Sequence, residues 1–287
     1  MIVPGSRSQA LSAALAAETG LPLATPTYDR FPDGETLASV PAFEADHAVV
    51  VAATPSNDAY VELLQLQDAV REAGAESVTT VLPYMGYTRQ DRAFKHGQPV
   101  SARAMARAVS TGTDRVGVVN PHESGITEFF DVPCESIDAA DRLAEPLPDE
   151  FDEPLFLAPD EGAVELIDSV RDGYGRGETD YFEKTRDRDT GDVEITPSDA
   201  QIADRDVVVA DDIIATGSTM SDAVDVLLER GAARVFVACV HPLLVGNAFI
   251  KLSGSGIDGV YGTDTLERSI SSVTVAPAIA EAVELGE

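Results

Sequence analysis

Short apolar runs alternate along the chain with longer stretches whose apolar residues recur every third or fourth position. Runs of the first kind are Met1–Gly5, Ala48–Ala53, Ser77–Leu82, Val116–Asn120, Leu155–Ala158, Val207–Ala210, Ala233–His241 and Ser271–Val275. Brief and bounded by turn residues, they predict buried strands. Stretches of the second kind predict helices over Ser6–Glu18, Asn57–Ala73, Ser101–Ser110, Ala163–Val170, Ser221–Arg230 and Ala276–Leu285. Leu11 and Leu15 stand one turn apart in the first helix and Gly20 stops it, while Asn57 caps the second and Gly74 closes it. An acidic helix is expected to open Ser136–Leu143. Strands and helices alternating at these lengths predict an α/β protein built on doubly wound parallel sheets. Glu145–Pro154, rich in Pro, Asp and Glu, marks a boundary between domains at 1–145 and 146–275.

The apolar run at Val207–Ala210 ends in Asp211-Asp212, and Ile213-Ile214-Ala215-Thr216-Gly217-Ser218-Thr219-Met220 leads directly into a helical pattern. A buried strand, a sharp turn and a helix N-terminus in this order form a ready anion site. Free N–H groups and hydroxyls can hold a phosphate, and the helix dipole favours its charge. No Gly-Lys-Ser/Thr follows the glycine, so the stretch is not a P-loop. It resembles the 5-phosphoribosyl-1-diphosphate (PRPP) loop shared by type I phosphoribosyltransferases and ribose-phosphate diphosphokinases. The resemblance implies that Asp211 and Asp212 contact the ribose hydroxyls and that Ala215, Thr216, Gly217, Ser218 and Thr219 surround the 5-phosphate. Ala215 stands where diphosphokinases often carry a third Asp.

Composition narrows the picture. At 287 residues the chain is long enough for two α/β domains. It has no apolar run of membrane-spanning length and no secretory leader, so a cytoplasmic location is expected. Cys134 and Cys239 are isolated, which argues against a disulfide framework and a zinc site. Fifty acidic residues against twenty basic ones give a net charge of −30, and lysine occurs only at Lys95, Lys184 and Lys251. A coat this acidic repels nucleic acid and anionic membranes, so neither is expected as a partner. High salt makes its self-repulsion tolerable, and a halophilic archaeal source is expected.

Against that background, Arg89, Arg92, Lys95, Arg103 and Arg107 cluster with only Asp91 among them, which marks an anion site. Nearby aromatic residues could stack on a purine while guanidinium groups bind phosphate. Pro83-Tyr84-Met85-Gly86-Tyr87-Thr88-Arg89-Gln90-Asp91-Arg92 resembles the ATP-binding stretch of diphosphokinases, which phosphoribosyltransferases lack. Arg30-Phe31-Pro32-Asp33-Gly34-Glu35 is a turn by its Pro-Asp-Gly, and it resembles a second ATP-contacting segment that family members supply from an adjacent subunit. The resemblance thus assigns ATP to Asp33, Gly34, Glu35, Arg89, Gln90 and Asp91, and implies a homo-oligomer built from dimers with a shared ATP site.

His122 follows a strand end, where ligands bind in open α/β sheets. By resemblance it is a ligand of the Mg2+ carried by ATP, although Asn120 replaces an aspartate common in the family. Asp160, in Pro159-Asp160-Glu161-Gly162, either caps a helix or, as the resemblance implies, lies near Mg2+ and ribose. Lys184 survives where most lysines have become arginine. The family carries Lys-x-Arg here at the start of a flexible catalytic loop, which makes Lys184 and Arg186 the catalytic cations, with Arg186 also on the ribose 5-phosphate side. The turn at Asp187–Gly191 is expected to be mobile.

The chain resembles the ribose-phosphate diphosphokinases over nearly its whole length. The implied architecture is two similar domains of the type I phosphoribosyltransferase-like fold, with the helix at 276–287 packed back on the first. The implied reaction joins ATP and ribose 5-phosphate to give PRPP and AMP. A phosphoribosyltransferase remains an alternative, distinguished by whether AMP is released from ATP. So does a non-catalytic regulatory relative, although such relatives typically lose the loop lysine and the metal-binding histidine, and this chain keeps both.

Overall fold

The structure is a computed structural model that describes residues 1–186, 193–197 and 200–282. It divides into two compact units. The first comprises Met1–Asp138, Asp264–Glu267 and the chain from Thr274 on; the second comprises Ala139–Thr263 and Arg268–Val273.

The first unit contains β1 (Ile2–Pro4), α1 (Gln9–Thr19), β2 (Thr27–Arg30), β3 (Thr36–Ser39), β4 (His47–Val51), α2 (Asn57–Glu72), β5 (Ser77–Leu82), α3 (Ser101–Ser110), β6 (Arg115–Val119) and β7 (Cys134–Ile137). Its sheet runs β1-β4-β5-β6-β7, parallel throughout, and Leu23 extends it by one parallel bridge to Ile2. Counting that bridge, the chain's second segment lies outside its first and the rest follow on the other side. β2 and β3 form a separate antiparallel hairpin. Val50, Leu63, Leu66, Val70, Val78 and Val116 are fully buried in the core. Each such side chain contributes roughly 1.5–3 kcal/mol of burial.

The second unit contains β8 (Leu155–Ala158), α4 (Val164–Tyr174), β9 (Glu178–Arg186), β10 (Val193–Pro197), β11 (Asp206–Ile213), α5 (Ser218–Glu229), β12 (Arg234–His241), α6 (Ala248–Gly254), β13 (Gly259–Thr263) and β14 (Ser271–Val273). The strand order is β10-β9-β8-β11-β12-β13-β14, parallel except for the β9–β10 hairpin. The second strand again lies outside the first, so the two units share one doubly wound topology. In the first unit α7 (Ala276–Ala282) packs on α1.

Several expectations change. The helix expected in Ser136–Leu143 is instead the edge strand β7 followed by a 3-10 turn at Ala140–Ala144, because Cys134–Ile137 pairs along β6. That turn packs on α4, so the units divide after Asp138, ahead of the acidic, proline-rich stretch. α5 begins at Ser218 rather than Ser221, since Gly217 takes a left-handed φ of 74° and turns the chain straight into the helix. The segments β3, β7, β10, β13 and α6 carried too little periodicity to stand out. The expected turn at Asp187–Gly191 lies outside the described residues, as do 283–287.

The cap of α2 is Ser56, whose hydroxyl accepts from the Ala59 N–H, and not Asn57. Asn57 lies inside the first turn and instead accepts a hydrogen bond from the Tyr87 hydroxyl. Ser56→Ala should therefore cost about 1 kcal/mol, seen in thermal unfolding as a fall of about 2–4 °C for a chain of this size. Asn57→Ala, which removes only an exposed hydrogen bond, should cost less.

Candidate active site

β8 and β11 are neighbours in the second unit, with Val207 opposite Leu155 and Val209 opposite Leu157, and their connections leave in different directions. The carboxyl ends of such a pair form the ligand crevice of an open α/β sheet. Asp160 follows β8, and Asp211 and Asp212 lie near the end of β11. Asp211 Oδ1 accepts from the Asp212 N–H at 2.9 Å and Asp212 Oδ1 from the Ile213 N–H at 2.7 Å, which fixes both carboxylates at the strand end. Burial, then the charge of Asp212 and more weakly that of Asp160, holds the Asp211 carboxyl well above the usual carboxylate range. Cys239 lies opposite Asp211 in the register of β12, and burial followed by the Asp211 charge pushes its thiol up, so it stays protonated.

Past the acids, the chain forms a cradle. α5 has Gly217 as its N-cap, with no side-chain cap and no acid in its first turn. Its leading N–H groups are left for another acceptor. Thr216 and Thr219 are exposed and Ser218 is half-buried beside them, with Thr216 Oγ1 3.5 Å from Ser218 Oγ. Ala215 contributes its carbonyl, which accepts from the Val245 N–H at 2.9 Å. A β-carbon on Gly217 would meet the Ala248 carbonyl at 3.2 Å, so only glycine permits both the left-handed turn and the close approach of α6. Lys251, to which sequence assigned no role, donates from Nζ to Ser218 Oγ at 3.0 Å.

In the first unit, Arg89, Lys95, Arg103 and Arg107 are exposed and form no ion pair among the described residues. Arg92 lies over the Phe94 ring, 5.2 Å from its centroid. Gln90 is committed locally, donating from Nε2 to the carbonyls of Arg92 (3.0 Å) and Pro99 (3.4 Å), so it braces the loop. Asp91 is half-buried and makes no hydrogen bond or ion pair with a described residue. The turn at 31–35 closes through Phe31 N–H to the Glu35 carbonyl (2.8 Å), with Gly34 at φ 98°. Asp33 Oδ1 accepts from the Glu35 N–H at 3.1 Å, and Arg30 donates to the Gly34 carbonyl at 3.0 Å.

His122 is exposed beyond β6. Asn120 takes a left-handed φ of 35°, which asparagine tolerates, and its Nδ2 donates to Asp138 Oδ1 at 2.7 Å. An aspartate there would face another carboxylate, which gives the replacement a local reason. Asp160 caps the 3-10 turn Glu161–Ala163 through Oδ1, which accepts from the Gly162 N–H at 3.1 Å. Lys184 and Arg186 lie on β9, opposite Ile195 and Val193 of β10. Among the described residues no group of three or more His, Cys, Asp or Glu gathers as a metal cage. His122 belongs to the first unit and Asp160 to the second.

Known proteins match this chain along its length. Residues 1–112 fit the family described as the N-terminal domain of ribose phosphate pyrophosphokinase, and residues 133–248 the phosphoribosyl transferase domain. A ribose-phosphate pyrophosphokinase of Halobacterium salinarum is 59% identical over 284 residues, covering 99% of this chain and 100% of the relative. One from Methanosarcina mazei is 41% identical, covering 98% of this chain and 94% of the relative. Among solved structures, phosphoribosylpyrophosphate synthetase from Mycobacterium smegmatis superposes with a TM-score of 0.84 at 26% identity, over 99% of this chain and 97% of that one. Two doubly wound units, an uncapped helix start after an acidic strand end and relatives this similar along the whole chain lead to one assignment: the chain belongs to the ribose-phosphate pyrophosphokinase family.

Proposed function

We propose that the chain transfers the diphosphoryl group of ATP to the anomeric hydroxyl of ribose 5-phosphate, giving PRPP and AMP for nucleotide biosynthesis. The observation that carries this reading is the occurrence, in one chain, of an uncapped helix start at α5 and of cations at 89–107 that form no ion pair among the described residues. A phosphoribosyltransferase uses the first and has no need of the second.

The second unit holds the sugar phosphate. The hydroxyls of Thr216, Ser218 and Thr219 and the leading N–H groups of α5 donate to the 5-phosphate, and the carboxylates of Asp211 and Asp212 accept from the ribose hydroxyls. Binding gives Asp211 the donors that its crowded strand end lacks. The first unit holds ATP through Arg89 and the neighbouring cations, with Gln90 bracing the loop. The anomeric oxygen attacks the β-phosphorus, the bond from Pβ to the oxygen of the α-phosphate breaks, and AMP leaves. The hydroxyl proton passes to solvent, and no residue acts as a strong base. Lys184 and Arg186 offset the charge that develops on the bridging and leaving oxygens, the main demand of phosphoryl transfer.

Magnesium fits the donors present. This ion is usually held by one or two carboxylates together with substrate phosphates, not by an all-protein cage. In the second unit Asp160 would provide such a carboxylate, in the first His122 would provide a donor, and the bound ion would supply charge neutralisation on the phosphate oxygens. The hairpin residues Asp33, Gly34 and Glu35 complete the ATP site of a neighbouring subunit, so the working form is a homo-oligomer built from dimers. Among the described residues no helix is long and apolar enough to cross a membrane.

Four outcomes are expected. In molar salt the chain should form PRPP and AMP from ribose 5-phosphate and ATP. Lys184→Ala should cut turnover by on the order of 10²-fold or more, as removal of a transition-state donor does, with ribose 5-phosphate affinity little changed; equal turnover would remove Lys184 from the mechanism. Asp211→Asn relieves carboxylate crowding, so it should raise the melting temperature of the ligand-free protein by a few degrees, corresponding to roughly 1 kcal/mol, while weakening ribose 5-phosphate binding. Mixing inactive Arg89→Ala chains with inactive chains altered at Asp33 and Glu35 should restore part of the activity after subunit exchange, and no recovery would place the hairpin outside a shared site.

A further inference from the structure

We infer that Lys251 is a ligand of the 5-phosphate of ribose 5-phosphate, supplying a positive charge beside the uncharged hydroxyls and N–H groups of the cradle. The inference rests on the reading of residues 211–219 as the ribose 5-phosphate site.

The backbone places this residue. Beyond the ends of β11 and β12, the N–H groups of Leu244 and Val245 donate to the carbonyls of Ile214 and Ala215, both at 2.9 Å. These bonds tie the segment after β12 to the start of the cradle loop. Leu244 (φ 48°) and Gly246 (φ 61°) then turn the chain into α6. α6 lies against Gly217, where an added β-carbon would come 3.2 Å from the Ala248 carbonyl and 3.4 Å from Leu252 Cγ. Ala248 and Leu252 are one helical turn apart on the face that meets the loop, and Lys251 adjoins Leu252. Its ammonium reaches Ser218 Oγ at 3.0 Å, and that oxygen also lies 3.5 Å from Thr216 Oγ1.

The charge pattern supplies the reason. The chain carries fifty acids, yet Lys251 is exposed, makes no ion pair among the described residues and turns to a neutral hydroxyl. Arginines 71, 115, 205 and 234 all pair with carboxylates. A phosphate monoester near neutral pH carries about −1.5 to −2. The remaining cradle donors are uncharged, and the nearest named charges along the strand ends are Asp211, Asp212 and Asp160. In molar salt screening reduces the Debye length to ~3 Å, so only a cation in contact adds appreciably to the hold on a phosphate. An ammonium held on a cradle hydroxyl by one hydrogen bond is in reach of the phosphate that the same hydroxyl would bind, and lysine serves as a point charge for phosphate.

The test titrates ribose 5-phosphate, and inorganic phosphate as a minimal competitor, into the full chain in molar KCl by calorimetry, using wild type, Lys251→Met and Lys251→Arg. Lys251→Met should weaken ribose 5-phosphate binding roughly ten- to hundred-fold, as loss of a charged hydrogen bond does, and weaken phosphate competition with it. In steady state it should raise KM for ribose 5-phosphate, leaving KM for ATP and kcat at saturation within about threefold. Lys251→Arg should recover most of the affinity. Lys251→Met binding as wild type does would overturn the inference. So would a fall in kcat with both KM values disturbed and no rescue by arginine, since that pattern marks a structural residue. Failure of the wild-type chain itself to bind ribose 5-phosphate would instead overturn the cradle reading. Should the methionine variant fold poorly, Lys251→Gln carries the same comparison.

Discussion

The parallel sheet of the second unit imposes the constraint from which its chemistry follows. β8 and β11 are adjacent, yet the connection from β8 runs to the outer strand β9 and the one from β11 runs the other way to β12. Their carboxyl ends therefore sit side by side with no connection covering them. Asp160 is brought from one strand end and Asp211–Asp212 from the other, close enough for the Asp160 charge to raise the Asp211 carboxyl. The crowding is a local cost, and ribose hydroxyls with a cation beside them would offset it. The cradle depends on the same geometry, because Gly217 must turn left-handed for α5 to start at once and for α6 to close against it.

Charge sorts the cations by use. Several guanidinium groups in this acidic chain are committed to carboxylates, as in Arg234, which bonds Asp206 at 2.7 and 2.9 Å while lying over the Phe151 and Phe236 rings. Such pairs brace the fold. Arg89, Lys95, Arg103 and Arg107 in one unit and Lys251 in the other form no such pair among the described residues, and the proposed phosphate contacts draw on these. In a solvent where long-range attraction is screened, uncommitted cations at contact range are what remains to hold an anion.

Much of this was legible in the residues because it is local. Val207–Ala210 reads as a strand since every position is apolar, and Thr216–Thr219 reads as a phosphate loop since its small polar residues precede a helical period. What stayed hidden depends on distant partners. Cys134–Ile137 is a strand only because β6 offers it an edge, and its acidic neighbours suggested a helix. Ser56 displaces Asn57 as the cap because the Tyr87 hydroxyl engages Asn57. Asn120 looked like a lost acid until its left-handed backbone and its bond to Asp138 were seen. Lys251 stands 33 positions from Ser218, and only the packing of α6 on the loop joins them.

The shared topology poses a question that local chemistry answers. The first unit has the same reversal between β1 and β4, and α2 starts after β4 as α5 starts after β11. An equal phosphate site does not follow. Ser56 spends its hydroxyl on the Ala59 N–H, and Asp58 places a carboxylate in the first turn of α2 and pairs with Arg30. A first turn satisfied by its own side chain and carrying negative charge repels a dianion, whereas α5 has neither feature. The hairpins diverge in the same way: β9 ends at Arg186 on the branch assigned to transfer, while β2 ends at Arg30, already bound to Asp58 and the Gly34 carbonyl. The first turn of α2 is thus closed to an anion by its own side chains, whereas that of α5 is left open, and the difference rests on which side chain reaches the free amides of a single helical turn.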